Sequence, residues 1–178
     1  MLKRTSLIIL ITSVMMLLSS CARHNIDRYQ GNLPPFNPEE FFQGELIASG
    51  VLKNRSGEVT RYFTATIEAS WQEGIGTLAE RFEFDDGEIQ YRTWTLTPTS
   101  EYQFEATAGD VIGTGSGEVS GNALHLNYVL EITYNRKPLQ LNVDDWMWRV
   151  SQDTVINQST LTKWGFVVGS IQLAIQKK

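Results

Sequence analysis

An antiparallel up-and-down β-barrel of about nine or ten short strands, with a short N-terminal helix, is the fold class this sequence predicts. Three observations carry it. From residue 43 onward apolar side chains recur at every second position, the period of a strand with one buried face. Turn signals such as Ser56-Gly57, Glu73-Gly74, Asp86-Gly87 and Gly121-Asn122 break that alternation at short intervals. Helical spacing is almost absent after residue 42, so consecutive hairpins are the natural connection, and a closed barrel gives every strand one interior face.

The chain opens MLKRTSLIILITSVMMLLSSC. Lys3 and Arg4 form a positive head, and Leu7 to Leu18 form an apolar run of about 12 residues, short of the roughly 20 needed to span a bilayer. Residues 1–20 therefore read as a secretory signal. Leu18-Ser19-Ser20-Cys21 has the pattern of a bacterial lipobox, which makes Cys21 the expected site of lipidation. Cys21 is the only cysteine, so the described fold must manage without an intrachain disulfide. Two or more acyl chains hold a protein firmly at a membrane. Ala22 after the cysteine favours the outer membrane, with the protein facing the periplasm.

Residues 21–36 are polar and rich in Pro, Gly, Asn and Gln, as expected of a lipidated tether. A single domain over 37–178 follows. Asn37 suits a helix N-cap, Pro38 the first helical position, and Glu39 and Glu40 the positive helix end. Phe41 and Phe42 then pack onto the domain.

The strands follow in order. Leu46, Ala48 and Leu52 alternate in the first. Val59, Phe63, Ala65 and Ile67 share one side of the second. Leu78, Phe82 and Phe84 share one side of the third, and Asp86-Gly87 closes a hairpin. Further strands are expected near 88–97, 101–108 and 111–119. The glycines of GDVIGTGSGEVSGN read as bulges and hairpins. The clearest alternation is ALHLNYVLEITY, with Leu124, Leu126, Tyr128, Leu130, Ile132 and Tyr134 on one side. Strands near 139–150, 154–163 and 166–176 complete the set.

Parity brings charge inside. Arg61 shares a side with Val59, Phe63 and Ile67; Glu80 with Leu78, Phe82 and Phe84; Asp145 with Leu139, Leu141, Val143 and Met147. A buried charge is costly unless paired, so these three residues form a structural ion-pair cluster, mark an open barrel mouth, or make a polar anchor for a ligand head group in an otherwise apolar cavity. The stretch NVDDWMWRV sharpens the question. Neighbouring strand residues face opposite ways, so Asp144 and Asp145 cannot converge as a catalytic carboxylate pair unless a bulge intervenes. Trp146 and Trp148 share the face opposite Asp145, as a barrel-end cover or an outer surface.

Several classes of function are disfavoured. There are 15 basic and 20 acidic side chains, a net charge of −5, and removal of Lys3 and Arg4 makes the balance more acidic. That argues against nucleic acid. Only two histidines occur, His24 and His125, without partners at metal-ligand spacing, so no metal site is expected. No G-x-S-x-G is present, and the glycine-rich run lacks the Lys-Ser/Thr of a phosphate loop. Asp85-Asp86-Gly87 reads as a hairpin rather than a calcium loop. No cofactor and no catalytic residue is assigned.

The ordered motifs PPFNPEEFFQGEL, DDGEIQYRTW, GDVIGTGSGEVSGNALHLNY, VDDWMWRV and NQSTLTKWGFVVGS resemble domain-of-unknown-function family 3833, a family of proteobacterial lipoproteins. The resemblance covers nearly the whole mature domain. His125-Leu126-Asn127 departs from it, where an aromatic is expected. The resemblance implies a membrane-anchored lipoprotein and a barrel of calycin, lipocalin-like type. The Gly-x-Trp signature of true lipocalins is missing, so lipocalin function is not carried over. The positions implied for a shared site are Arg92, Trp94, Asp110, Asn122, Asp144, Asp145, Trp146, Asn157 and Lys163.

Three functional readings follow. The leading one is a non-enzymatic lipoprotein whose barrel binds a lipid or other hydrophobic small molecule. The second is a structural or assembly partner in the envelope, with a filled barrel and an exposed Trp146/Trp148 face as its contact. The third is an enzyme acting on a lipid-derived substrate through Asp144, Asp145 or Asp110.

Overall fold

In the computed structural model, which describes residues 25–178, ten strands close into one antiparallel barrel. In chain order they are β1 (Gly44–Asn54), β2 (Val59–Gln72), β3 (Ile75–Phe84), β4 (Ile89–Pro98) and β5 (Gln103–Thr107). β6 (Gly115–Ser120), β7 (Ala123–Tyr134), β8 (Lys137–Arg149), β9 (Thr154–Lys163) and β10 (Phe166–Lys177) follow. Each strand pairs with its sequence neighbour, and β10 pairs with β1, Leu46 opposite Lys177 through Asn54 opposite Gly169. Closure leaves no unpaired sheet edge. The antiparallel up-and-down barrel expected from the alternation is the fold observed.

The alternation of the sequence becomes inside and outside. On β2, Phe63, Ala65, Ile67 and Ala69 are buried, while Thr64, Thr66, Glu68 and Ser70 face solvent. This is the reverse of a transmembrane barrel, whose outer face is apolar. Among the described residues no helix is long and apolar enough to cross a membrane.

One end of the barrel is floored by the segment before β1. Asn37 caps helix α1 (Pro38–Phe41), its side chain accepting from the Glu39 and Glu40 amides at 3.0 and 3.2 Å. Phe36, Phe41 and Phe42 meet there, with ring centroids 5.3 to 5.8 Å apart. Full burial of one such ring stabilises by about 2–3 kcal/mol. The Trp71 indole donates to the Phe42 carbonyl at 2.7 Å. Arg149, at the end of β8, fastens the floor. It donates to the Pro35 carbonyl at 2.9 Å and to Glu40 Oε1 at 2.8 Å.

Two expectations are corrected. The tether expected over 21–36 is part of the domain from residue 25 onward. Ile26 and Phe36 are buried, and the Phe36 amide donates to the Gly121 carbonyl at 2.7 Å. Ile26 and Tyr29 of a 3-10 turn (Ile26–Tyr29) cover Trp146 and Trp148 on the outer wall. Gly121 permits that approach: its φ is +54°, and a Cβ there would meet the Tyr29 carbonyl oxygen at 1.7 Å. The glycine run also differs from expectation. The strand starts at Gly115 rather than near 111, and Val111 makes only an isolated bridge to Leu130. Gly117 lies within β6, and a Cβ there would sit 2.1 Å from the Phe104 ring, so the missing side chain makes room for an aromatic.

Candidate functional site

The barrel is hollow. A cavity of about 590 Å³ runs from the aromatic floor towards the end carrying the β1–β2, β3–β4 and β7–β8 turns. Such a volume lies within the range of small-molecule sites. Its walls are mostly apolar, including Phe82, Leu126, Leu130 and Ile175.

Set into this wall is a polar cluster built by strand parity. Glu80 on β3 lies opposite Arg92 on β4, and both point inward. Arg92 Nε donates to both Asp110 carboxylate oxygens at 3.0 Å, and its Nη2 to Oδ2 at 2.7 Å. Asp110 comes from the connection between β5 and β6. Asp145 on β8 lies opposite Ser159 on β9. It accepts from Ser159 Oγ at 2.8 Å and from Asn157 Nδ2. Tyr128 on β7 packs edge-on against Trp94, with centroids 5.1 Å apart.

The enclosure changes these acids. Burial pushes the Glu80 carboxyl up to about 7, against the pull of Arg92, with the Asp145 and Asp110 charges adding to the rise. Glu80 keeps some surface, but that surface faces the cavity and is enclosed by the barrel wall. Burial also raises Asp145, while its bonds from Asn157 and Ser159 oppose the rise. Tyr128 is held well above its ordinary value, first by burial and then by the Asp145 charge. The cluster thus holds one ion pair, one carboxyl held near 7, a second carboxyl raised by burial, and one neutral phenol.

Seven of the sequence candidates line the cavity: Arg61, Glu80, Arg92, Trp94, Asp110, Asp145 and Asn157. Arg61 lies nearer the open end, bonded to Asp86 at 2.7 Å and Glu88 at 2.9 Å and resting on the Phe84 ring. Four candidates lie elsewhere. Asn122 is in the β6–β7 turn near the floor and donates to the Arg149 carbonyl at 3.1 Å. Lys163 ends β9 and donates to the Gln140 carbonyl. Asp144 faces outward and pairs with His125 Nε2 at 2.6 Å. Trp146 is also on the outer wall, stacked on the His125 ring at 4.0 Å. The adjacent aspartates are thus separated by the wall: Asp144 belongs to an outer His125 contact and Asp145 to the interior. Cys21 lies outside the described residues.

The exposed Trp146/Trp148 contact face is not present. Trp146 is only 5% exposed, and the tilted Tyr29 ring packs against both indoles, with centroids at 5.9 and 6.3 Å. Nor is the barrel filled, the other expectation of the assembly reading. Tyr128, Ser159 and Arg149 were not singled out from the sequence as site residues. The signal for Ser159 was parity with Asn157, two residues before it on the same strand. Among the described residues no group of three or more His, Cys, Asp or Glu side chains is arranged to hold a metal ion.

Comparison with known proteins supports the architecture. The barrel is similar to an S-type phycobiliprotein lyase, CPES, from Guillardia theta, with 13% identity and a TM-score of 0.59. That match covers 87% of this chain and 99% of the lyase. A looser likeness, with 9% identity and a TM-score of 0.44 over 78% of this chain and 95% of the other, is to EF1p2_mFAP2b bound to DFHBI. A search of curated proteins finds no match. The model of the protein family of unknown function DUF3833 matches residues 15–177, and this chain belongs to that family.

Proposed function

We propose that the protein is a membrane-anchored lipoprotein, facing the periplasm from the outer membrane, whose barrel binds a lipid or other apolar small molecule. The observation that carries the binding reading is the cavity of about 590 Å³, apolar-walled and holding a compact polar cluster. A polar group set in an apolar wall fixes the orientation of a ligand, while the wall supplies most of the affinity. The anchor rests on the sequence: the leader of residues 1–20 and the lipobox ending at Cys21. A lipid-tethered barrel would sit where apolar molecules are concentrated.

The test is binding of a solvatochromic apolar dye by the full chain in mild detergent. Saturable binding at one site is expected, and Ala65→Trp should abolish it, because Ala65 faces the cavity and an indole there fills the space. Equal dye binding by the wild type and a folded Ala65→Trp variant would count against the reading.

A catalytic reading draws on the same cluster, since a carboxyl held near 7 suits general acid–base work. It would use Glu80 and Asp145, with Asp144 excluded by its outward position. Turnover of a lipid ester lost in Asp145→Asn, with dye binding retained, would favour it over simple binding.

A further inference from the structure

Charge inside the barrel is unevenly matched. Five carboxylates reach the cavity: Glu80, Glu88, Asp110, Glu131 and Asp145. Two guanidiniums do so, Arg61 and Arg92. Both are already engaged. Arg61 is held by Glu88 together with Asp86, and Arg92 is forked onto Asp110. Glu131 takes a bond from Gln140 at 3.1 Å, and Asp145 takes neutral donors from Asn157 and Ser159. Glu80 faces Arg92 across the β3–β4 pair and feels its charge, but the hydrogen bonds of that guanidinium go to Asp110. The interior therefore offers acceptors without cations to match them, and a low-dielectric wall focuses that negative potential along the cavity.

The aromatic surroundings have the same preference. The Arg92 guanidinium lies 5.7 Å from both the Phe82 and Trp94 rings. These faces already support one cation, and Tyr128 adds a third ring beside Trp94. Aromatic faces backed by carboxylates favour alkylammonium groups.

We infer that the ligand of this cavity is a cationic amphiphile: an apolar body with a basic nitrogen that docks between Glu80 and Asp145, beside Trp94 and Tyr128. The inference rests on the apolar-ligand reading above and narrows it. Here a carboxylate ligand would meet Glu80, Asp110 and Asp145 with both arginines already paired.

The experiment is a matched-probe titration of the full chain in mild detergent at about pH 8. Dodecylamine, dodecanol and dodecanoate are compared below their aggregation concentrations, by displacement of a bound apolar dye. The amine is expected to bind at least tenfold tighter than the alcohol, and the alcohol tighter than the carboxylate. In Glu80→Gln and in Asp145→Asn the amine's advantage over dodecanol should fall to a few-fold. Dodecanoate or dodecanol binding as well as or better than the amine would overturn the inference and leave the apolar-ligand reading standing. Failure of the dye and all three probes to bind would overturn both. The wild-type ranking decides the matter even where a variant does not fold.

Discussion

Replacing Glu80 by Gln should make the protein more stable at neutral and alkaline pH, and the size of the gain follows from the structure. The carboxyl has an ordinary value of 4.5 and is held at about 7 in the fold, chiefly by burial. The groups facing it are Arg92 from β4, Asp145 from β8 and Asp110 from the β5–β6 connection. Holding a carboxyl that far up disfavours its ionised form by roughly 3 kcal/mol. Below about pH 4.5 the group is protonated in folded and unfolded chains alike, and no penalty applies. As pH rises from there to about 7, the unfolded chain releases the proton first, so stability falls. Above about 7 the full loss is present. Gln keeps the shape and cannot ionise. The stability gap between variant and wild type should therefore widen in the variant's favour by roughly 3 kcal/mol between about pH 4.5 and pH 8, or on the order of 10 °C in Tm for a domain of this size. Urea denaturation at several pH values, followed by tryptophan fluorescence, reads this directly. Two pH profiles that run parallel to within about 1 kcal/mol would refute the reasoning, because they would mean that Glu80 titrates alike in the folded and unfolded chain.

Other perturbations test other parts of the architecture. Asp110→Asn removes the forked partner of a largely buried guanidinium, and a loss of roughly 1–3 kcal/mol in urea denaturation is expected. Arg149→Ala takes away the donors to Pro35, Glu40 and Gln152 that fasten the floor. A loss of about 2–4 kcal/mol should follow, with faster proteolysis within residues 25–42. Gly121→Ala places a Cβ against the Tyr29 carbonyl in a left-handed conformation. At least about 2 kcal/mol should be lost, with greater acrylamide quenching as the cover over Trp146 lifts.

Strand-level reasoning reached far into this fold because the side-chain period is short and local. Alternation alone placed Arg61, Glu80 and Asp145 inside, and it separated Asp144 from Asp145. A one-residue slip would have reversed all of these, so the apolar partners on each strand fixed the answer. What alternation could not supply was register between strands. His125 meets Asp144 because β7 and β8 pair with Asn127 opposite Asp144 and His125 opposite Trp146, and nothing local in the sequence encodes that pairing. The cover over Trp146 was hidden for a related reason. Ile26 and Tyr29 lie in a polar stretch of tether-like composition, and only their packing on the outer wall reveals their role. Arg149 sits at the end of an aromatic run, and its partners Pro35 and Glu40 lie more than 100 residues away in sequence. Gly117 shows the limit of composition: its purpose is set by Phe104 on the neighbouring strand, not by any turn of its own.

The most direct test of the central claim, that the barrel holds an apolar molecule, is native mass spectrometry of the full chain purified without added lipid. Organic extraction of the same sample would then identify any bound species. A non-covalent species at one copy per chain is expected in the wild type and should be missing from Ala65→Trp. A wild-type chain that carries no such mass, and stays empty when offered membrane lipid extract, would contradict the account.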